Sequence, residues 1–398
     1  MRRFRIGSAF GIPIQLDLTF LLVLPLFAWI IGTQVEQTTE LLNDSLGAGL
    51  DPAVLTEGSL VWVLGVVAAV GLFTGVVLHE LGHSLVAIRY GYPIDSITLW
   101  LFGGIAQLTE TPEDWKQELA IAVAGPAVSV ALGVLSYVAF FVLPGTQSTV
   151  VEAARFVLAY LAVMNLALAV FNMLPGFPMD GGRVLRALLA RTRPYARATK
   201  IAAEVGKIFA IMLGLFGLFV AGNIFLAGLA FFIYIGAEGE SRQTTMAAAF
   251  EGVTVRDVMT PADHVTSVTP RLSVRDLIRT MFEERHTGYP VEKDGEVVGL
   301  VTLEDARAVR EVERDAYTVG DVMTTDLYTV SPDADVMDAL TQLQQNSVGR
   351  LVVTDADGAF LGLLTRSDIM TALSIIKSSS EYGSIGGSSE SRTLRPEP

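Results

Sequence analysis

Residues 77 to 85 read VLHELGHSL, and the two histidines and one glutamate at its centre are residue types that could do hydrolytic chemistry. In an α-helix residues four apart lie one above the other, so His79 and His83 can aim two imidazole nitrogens at one point. Glu80 is turned about 100° from His79 and can reach a water at that point without ligating. This is the spacing a metal hydrolase needs. The chain has only four histidines, His264 and His286 being the others, which makes a chance HExxH an unattractive reading.

A catalytic zinc takes three protein ligands and keeps one position open for water. The extended pattern of soluble zinc proteases would require Gly at 86 and His at 89, where Val86 and Arg89 stand, so a third ligand must come from elsewhere. With no cysteine in the chain, thiolate ligands, disulfides and cysteine nucleophiles are excluded. Glu110 and Glu113 follow the motif and are candidates. Asp180, in FNMLPGFPMDGGRVLRALL, is the better one, because Pro175 and Pro178 break an apolar run and present its carboxylate beside Gly181 and Gly182. Alone, Asp180 reads equally well as the cap of a helix beginning near Gly181. Beside HELGH the ligand reading gains, since a dication needs a third, anionic partner.

The elements that must position these residues are apolar. Runs long enough to cross a hydrocarbon core of ~30 Å lie at about 14–32, 59–88, 119–143, 155–174 and 205–236. The last is interrupted by AGN at 221–223 and reads as two short spans, giving six. Ionisable residues are expensive in hydrocarbon and a broken helix is tolerated there only where it lines a protein cavity, so both motifs call for a function. Eleven Lys and Arg residues, from Arg2 to Lys200, fall on one side of this topology and only Arg155 on the other. That bias expects a multi-pass protein of the cell membrane with both termini cytoplasmic. The basic start MRRFRIGSAF lacks a following small-residue cleavage site, so the first run is expected to be a retained span. Arg89 marks the inner boundary, which sets His79 and His83 roughly 9 to 15 Å deep from the cytoplasmic side. Between the second and third runs, IDSITLWLFGGIAQLTE reads as two extended stretches turned at Gly103 and Gly104.

The chain is 51% hydrophobic yet carries a net charge of -14, a combination that predicts a membrane half joined to an acidic soluble half. Residues 251–375 alone hold 22 acidic and 11 basic residues. Arg outnumbers Lys 23 to 5, which with abundant Asp fits either a high-salt cytoplasm or a GC-rich genome. Nucleic acid is not expected as a partner. From about 251 short strands and helices repeat: TVRDVMT at 254–260 returns as TVGDVMT at 318–324, and GLVTLED at 299–305 as GLLTRSD at 362–368. Two copies predict a tandem pair of small α/β units that pack together. The Ser- and Gly-rich end, 376–398, is expected to be disordered.

HELGH on the second of six spans and NMLPGFPMDGG on the fourth resemble the site-2 protease family of intramembrane zinc metalloproteases. The resemblance covers about residues 1–240, including GIPIQLDLTF and FGGIAQL. Carried over by position, it implies that His79, His83 and Asp180 bind one catalytic Zn2+ and that Glu80 is the general base. Asn172 matches a family asparagine that helps hold the tetrahedral intermediate. The implied activity is zinc-dependent endopeptidase cleavage of transmembrane protein substrates within the lipid bilayer, near its cytoplasmic side. Strands around Gly103 and Gly104 are expected to pair with an unwound substrate segment.

The repeats resemble a tandem CBS domain pair over about 252–375, divided near 312, with 241–251 as linker. In that family Thr302 or Thr365 and Asp305 or Asp368 fall at positions that hold the phosphate and ribose of an adenine nucleotide such as AMP, ADP or ATP. Thr and Asp are also common helix caps. The pair is expected to sense nucleotide or ionic conditions, to bias substrate access through residues 237–250, and to form a homodimer through its helices. The fold class expected is thus a polytopic α-helical membrane domain, six transmembrane helices with a short β element, followed by an α/β tandem CBS pair. A CBS-gated transporter or channel predicts polar residues scattered over several spans, whereas here they concentrate in two motifs. A catalytically silent zinc-binding scaffold is the other alternative, and Glu80 argues against it.

Overall fold

The computed structural model describes residues 3–100, 103–108, 112, 114–145 and 148–386, and divides into two compact units, Met1–Thr244 and Thr245–Pro398. The first unit opens with a hairpin, β1 (Arg3–Ala9) and β2 (Ile12–Asp17). Its two turn residues, Phe10 and Gly11, have φ of 53° and 85°, as the tight turn that matches strand twist requires. β3 (Ile94–Trp100) pairs parallel to β2, and β4 (Gly103–Leu108) pairs antiparallel to β3. The sheet order is β1-β2-β3-β4, which puts β4 at an edge with no further strand beside it among the described residues.

The helices are α1 (Phe20–Thr33), α2 (Val35–Leu46), the single turn α3 (Pro52–Leu55), α4 (Leu60–Arg89), α5 (Trp115–Val142) and α6 (Thr149–Asn172). They continue with α7 (Asp180–Ala190), α8 (Tyr195–Leu215), extended by a π-helical turn to Val220, and α9 (Ile224–Ala249). Among the described residues five helices are long and apolar enough to cross a membrane: α4, α5, α6, α8 with its π turn, and α9. A sixth is reached only by counting α1 and α2 together, which meet at 69°. α4 is central, packed against α1, α5, α6 and both β3 and β4.

Two expectations are corrected here. The first apolar run, 14–32, is not one span: its start is strand β2, ended where Asp17 accepts hydrogen bonds from Thr19 N and Oγ1 at 3.0 and 2.8 Å. The helix left over, α1, has 14 residues and is about 21 Å long, short of the ~30 Å core. The run 205–236 breaks at 221–223 as expected, but the flanking helices are 26 residues each, not short. They draw on amphipathic sequence on both sides, YARATKIAAE before and AEGESRQTTM after, which a hydropathy threshold discards.

The second unit is built from the repeat. Its first copy comprises α10 (Val255–Val258), β5 (Thr260–Pro261), α11 (Val274–Glu284), β6 (Gly288–Lys293), β7 (Glu296–Thr302) and α12 (Leu303–Ala308). The second comprises α13 (Val319–Val322), β8 (Thr329–Val330), α14 (Val336–Gln345), β9 (Arg350–Thr354), β10 (Phe360–Thr365) and α15 (Arg366–Gly386). TVRDVMT and TVGDVMT are both capping boxes: Thr254 with Asp257, and Thr318 with Asp321, close the starts of α10 and α13. The copies interlock, because β5 of the first pairs with β10 of the second and Leu300 of the first bridges Thr324 of the second. One core gathers Phe250, Leu343, Leu351 and Leu364, another Leu277, Val291, Val301 and Val319. Two boundaries move. α9 stays helical to Ala249 through most of the expected linker, and α15 runs to Gly386 into the expected disordered tail. Neither 241–249 nor 376–382 contains a Gly or Pro to stop a helix.

Candidate metal centre

On α4, His79 and His83 lie one turn apart with their rings edge to face, centroids 4.9 Å apart. Both are buried, and α5 fixes the outer nitrogen of each. His79 Nδ1 lies 2.8 Å from Ser129 Oγ, and His83 Nδ1 lies 2.7 Å from the carbonyl oxygen of Ile121. A carbonyl only accepts, so His83 donates from Nδ1 and, when neutral, turns a lone pair outward at Nε2. The two Nε2 atoms are 3.2 Å apart.

Asp180 completes the group from α7, with Oδ2 at 3.1 Å from His79 Nε2 and 3.2 Å from His83 Nε2. It is the first residue of α7 and the helix is capped at Met179 without a side-chain hydrogen bond, so its carboxylate is not spent on capping. Glu110 and Glu113, the other candidates for third ligand, lie outside the described residues.

These three atoms fit a metal. Ligands of a tetrahedral zinc at ~2.0–2.1 Å stand about 3.3–3.4 Å apart, close to the 3.1 and 3.2 Å seen here. Among the described residues His79, His83 and Asp180 are the group of His, Asp and Glu side chains close enough to hold one ion. Space is left for it. Gly125 of α5 faces both imidazoles, and a Cβ there would stand 2.2 Å from His83 Nε2 and 2.7 Å from His79 Nε2.

Glu80 is half-buried on the neighbouring face of α4 and is not among the three. Its side chain lies under β4, where a Cβ on Gly104 would come within 2.5 Å of Glu80 Cγ and 3.3 Å of Oε1. The glycine expected to serve the substrate therefore also makes room for the carboxylate. Gly103 beside it has φ of 129°. Asn172 is the last residue of α6, half-buried, and among the described residues no hydrogen bond joins it to the histidines or to Asp180. Ile121, Gly125 and Ser129 were not legible as site residues. Their only signal is AGPAVS, a Gly-Pro pair inside an apolar run.

In the second unit Thr302 and Asp305 line a cavity of about 390 Å³, with Thr287, Asp326, Tyr328 and Arg350. Arg350 Nη2 donates to Thr287 Oγ1 at 3.3 Å, while Nη1 is buried and has no partner among the described residues. Burial pulls the Arg350 guanidinium below its ordinary range, partly offset by the Asp305 carboxylate. Thr365 and Asp368 do not line this cavity. In both copies the motif threonine and aspartate close a cap: Asp305 Oδ2 accepts from Thr302 N and Oγ1, and Asp368 Oδ2 from Thr365 N and Oγ1. The copies differ elsewhere. Strand pairing makes Leu351 the counterpart of Tyr289, so Arg350 in the second copy corresponds to Gly288 in the first.

The model of peptidase family M50 matches residues 67–213, and that of the CBS domain matches 255–311 and 319–375. A zinc metalloprotease of Methanocaldococcus jannaschii is 34% identical over 374 residues, 94% of this chain and 96% of its own length. A relative in Mycobacterium tuberculosis is 34% identical over 386 residues, 94% of this chain and 93% of its own. Among solved structures, a site-2 protease from Methanocaldococcus jannaschii is 37% identical and covers 60% of this chain and 95% of its own, with a TM-score of 0.42.

Proposed function

This chain belongs to the site-2 protease family of zinc metalloproteases, peptidase family M50, followed by tandem CBS domains, and on that premise we propose how its residues cut a membrane substrate. His79, His83 and Asp180 hold one zinc ion and Glu80 is the general base. A bound zinc supplies an acidified water and polarises the scissile carbonyl. Glu80 would take a proton from the attacking water and return it to the leaving amine. The Ile121 carbonyl holds the His83 imidazole in the tautomer that offers Nε2, and Ser129 Oγ orients the ring of His79. Asn172 acts on the substrate side, as the family position implies. The observation that carries the reading is the buried triangle of Nε2, Nε2 and Oδ2 at 3.1 to 3.2 Å, in which the Ile121 carbonyl leaves a neutral His83 only a lone pair at Nε2.

The substrate is a transmembrane protein cut near the cytoplasmic side. Its unwound segment adds to the edge of β4 at Gly103 and Gly104, over Glu80. Both termini are cytoplasmic, with α1 and α2 counted as the first of six spans, and the protease domain, linker and CBS pair divide near residues 240, 252 and 312. An adenine nucleotide occupies the cavity at Thr302 and Asp305, its phosphate toward Arg350, and the CBS pair regulates cleavage as a homodimer. Support for the nucleotide is the unpaired, buried Nη1 of Arg350. The test is metal analysis of purified protein with cleavage of a model membrane substrate by wild type and Glu80→Gln. Zinc retained with activity lost in the variant is expected. Wild type without zinc overturns the reading.

A further inference from the structure

Beside the metal centre lies a second buried polar group that hydrolysis does not use. Arg186, in the middle of α7 and 5% exposed, points Nε and Nη2 at Glu118 Oε1, both at 2.6 Å, and Nη1 at Glu240 Oε1, at 2.7 Å. Its guanidinium sits between the rings of Phe177 and Tyr195, 4.9 and 4.8 Å from their centroids. Its ion pairs join three helices on this one side chain: α7, α5 through Glu118 and α9 through Glu240.

Two of the helices joined, α5 and α7, also build the metal centre. α5 carries Ile121 and Ser129, which orient the imidazoles, and Glu118 is one turn before Ile121. α7 is only 11 residues long and carries Asp180 at its first position, so any slide or rotation of the helix withdraws Oδ2 from the histidines. The two carboxylates holding Arg186 are not equal. The Glu118 side chain is 4% exposed and its Oε2 is buried without a partner among the described residues, whereas the Glu240 side chain is 32% exposed. Glu240 also lies four residues before the end of the first unit, on the helix whose last residues belong to the second.

We propose that Arg186 is a positioning residue that sets Asp180 against His79 and His83, and that Glu240 is the releasable one of its two holds. The inference rests on the reading of those three residues as the zinc site. Glu118 keeps α7 on α5 at all times. Glu240 engages or lets go with the position of α9.

The experiment uses the full-length protein in detergent and in liposomes, loaded with zinc or with cobalt(II), whose visible spectrum reports the ligand geometry. Arg186→Lys keeps the charge but cannot bridge two carboxylates with a rigid fork. It is expected to lower zinc affinity, measured by chelator competition, about tenfold or more, the range for groups that orient ligands, and to change the cobalt spectrum. Glu240→Gln is expected to move both in the same direction by less. A role in folding alone would lower thermal stability and leave the cobalt spectrum of the folded protein as it is. Wild-type affinity and spectrum in both variants overturn the proposal, and if Arg186→Lys fails to fold, an indifferent Glu240→Gln does so by itself. Wild type that binds neither metal sinks the zinc reading together with the proposal, whereas a metal-loaded wild type with indifferent variants sinks the proposal only.

Discussion

Asp180 and Asp305 both stand in the first turn of a helix, yet Asp180 turns Oδ2 toward two imidazoles a hundred residues away in sequence, while Asp305 turns Oδ2 back to Thr302 N and Oγ1. The first helix start forgoes a side-chain cap and the second closes a full capping box. The difference teaches how the same residue type is to be read in two solvents. In the membrane unit an acid has few cheap alternatives, so its presence beside two histidines is informative. In the water-exposed unit a Thr-x-x-Asp stabilises a helix start wherever it occurs, and the motif alone says little about a ligand.

The widest gap between the two acids should appear on their removal. Asp180→Ala is expected to lose zinc and to lower kcat/KM by more than about 100-fold, beyond the effect typical of groups that only orient ligands. Asp305→Ala should leave zinc content unchanged and cost the second unit about 0.5–2 kcal/mol, the ordinary worth of a cap. Metal analysis and thermal unfolding on the same two preparations decide it. Zinc retained by Asp180→Ala would erase the contrast.

Next in size is Gly125→Ala. A methyl group placed 2.2 Å from His83 Nε2 must push the imidazole off its axis. Zinc affinity should fall at least about tenfold, read by chelator competition. An unaltered affinity would mean that α5 can shift away, and that the space beside the imidazoles is not reserved for an ion.

The contrast also accounts for what the sequence disclosed. His79, His83 and Glu80 were legible because the helical period of 3.6 residues fixes their relative positions locally. Asp180 was legible because a carboxylate beside a broken helix in an apolar run is costly unless a cation or donor meets it. Ile121, Gly125 and Ser129 were not, since a backbone carbonyl, an absent Cβ and a lone hydroxyl carry no motif of their own. The repeat was legible from TVRDVMT and TVGDVMT, yet its interlocking, β5 with β10, depends on pairing between distant strands. The hairpin β1–β2 was hidden because IPIQLD runs straight into the apolar α1 and only Asp17 marks the join. Arg186 read merely as one more inner-side cation, because its two partners sit on α5 and α9.

Within the second unit the contrast becomes one between its two copies. Arg350→Ala should weaken ATP or AMP binding about 10- to 100-fold, as loss of a hydrogen bond to a charged group does, in calorimetric titration of the full chain. Asp368→Asn should change it by less than about threefold, since Asp368 lies off the cavity that Arg350 lines. Equal losses from both variants would put the ligand elsewhere.

The smallest effect belongs to the capping boxes at Asp257 and Asp321. Hydrogen bonds from Thr254 N and Oγ1 hold the Asp257 carboxylate below its ordinary value of 3.8, and Thr318 does the same for Asp321. A carboxylate depressed in the folded state stabilises that state above its unfolded value, and the contribution is lost as pH falls through the lower folded value. Both are solvent-exposed, so the effect is local fraying and not global unfolding. Hydrogen exchange of residues 254–260 and 318–324 should therefore be faster in Asp257→Asn and Asp321→Asn than in wild type at neutral pH. That difference should close only well below the ordinary carboxylate value of 3.8, where the wild-type carboxylates also become neutral. A difference that persists unchanged into acid would show that the protection does not depend on the charge of Asp257 or Asp321, and the capping carboxylates of the second unit would then carry no charge-dependent stability to set against Asp180.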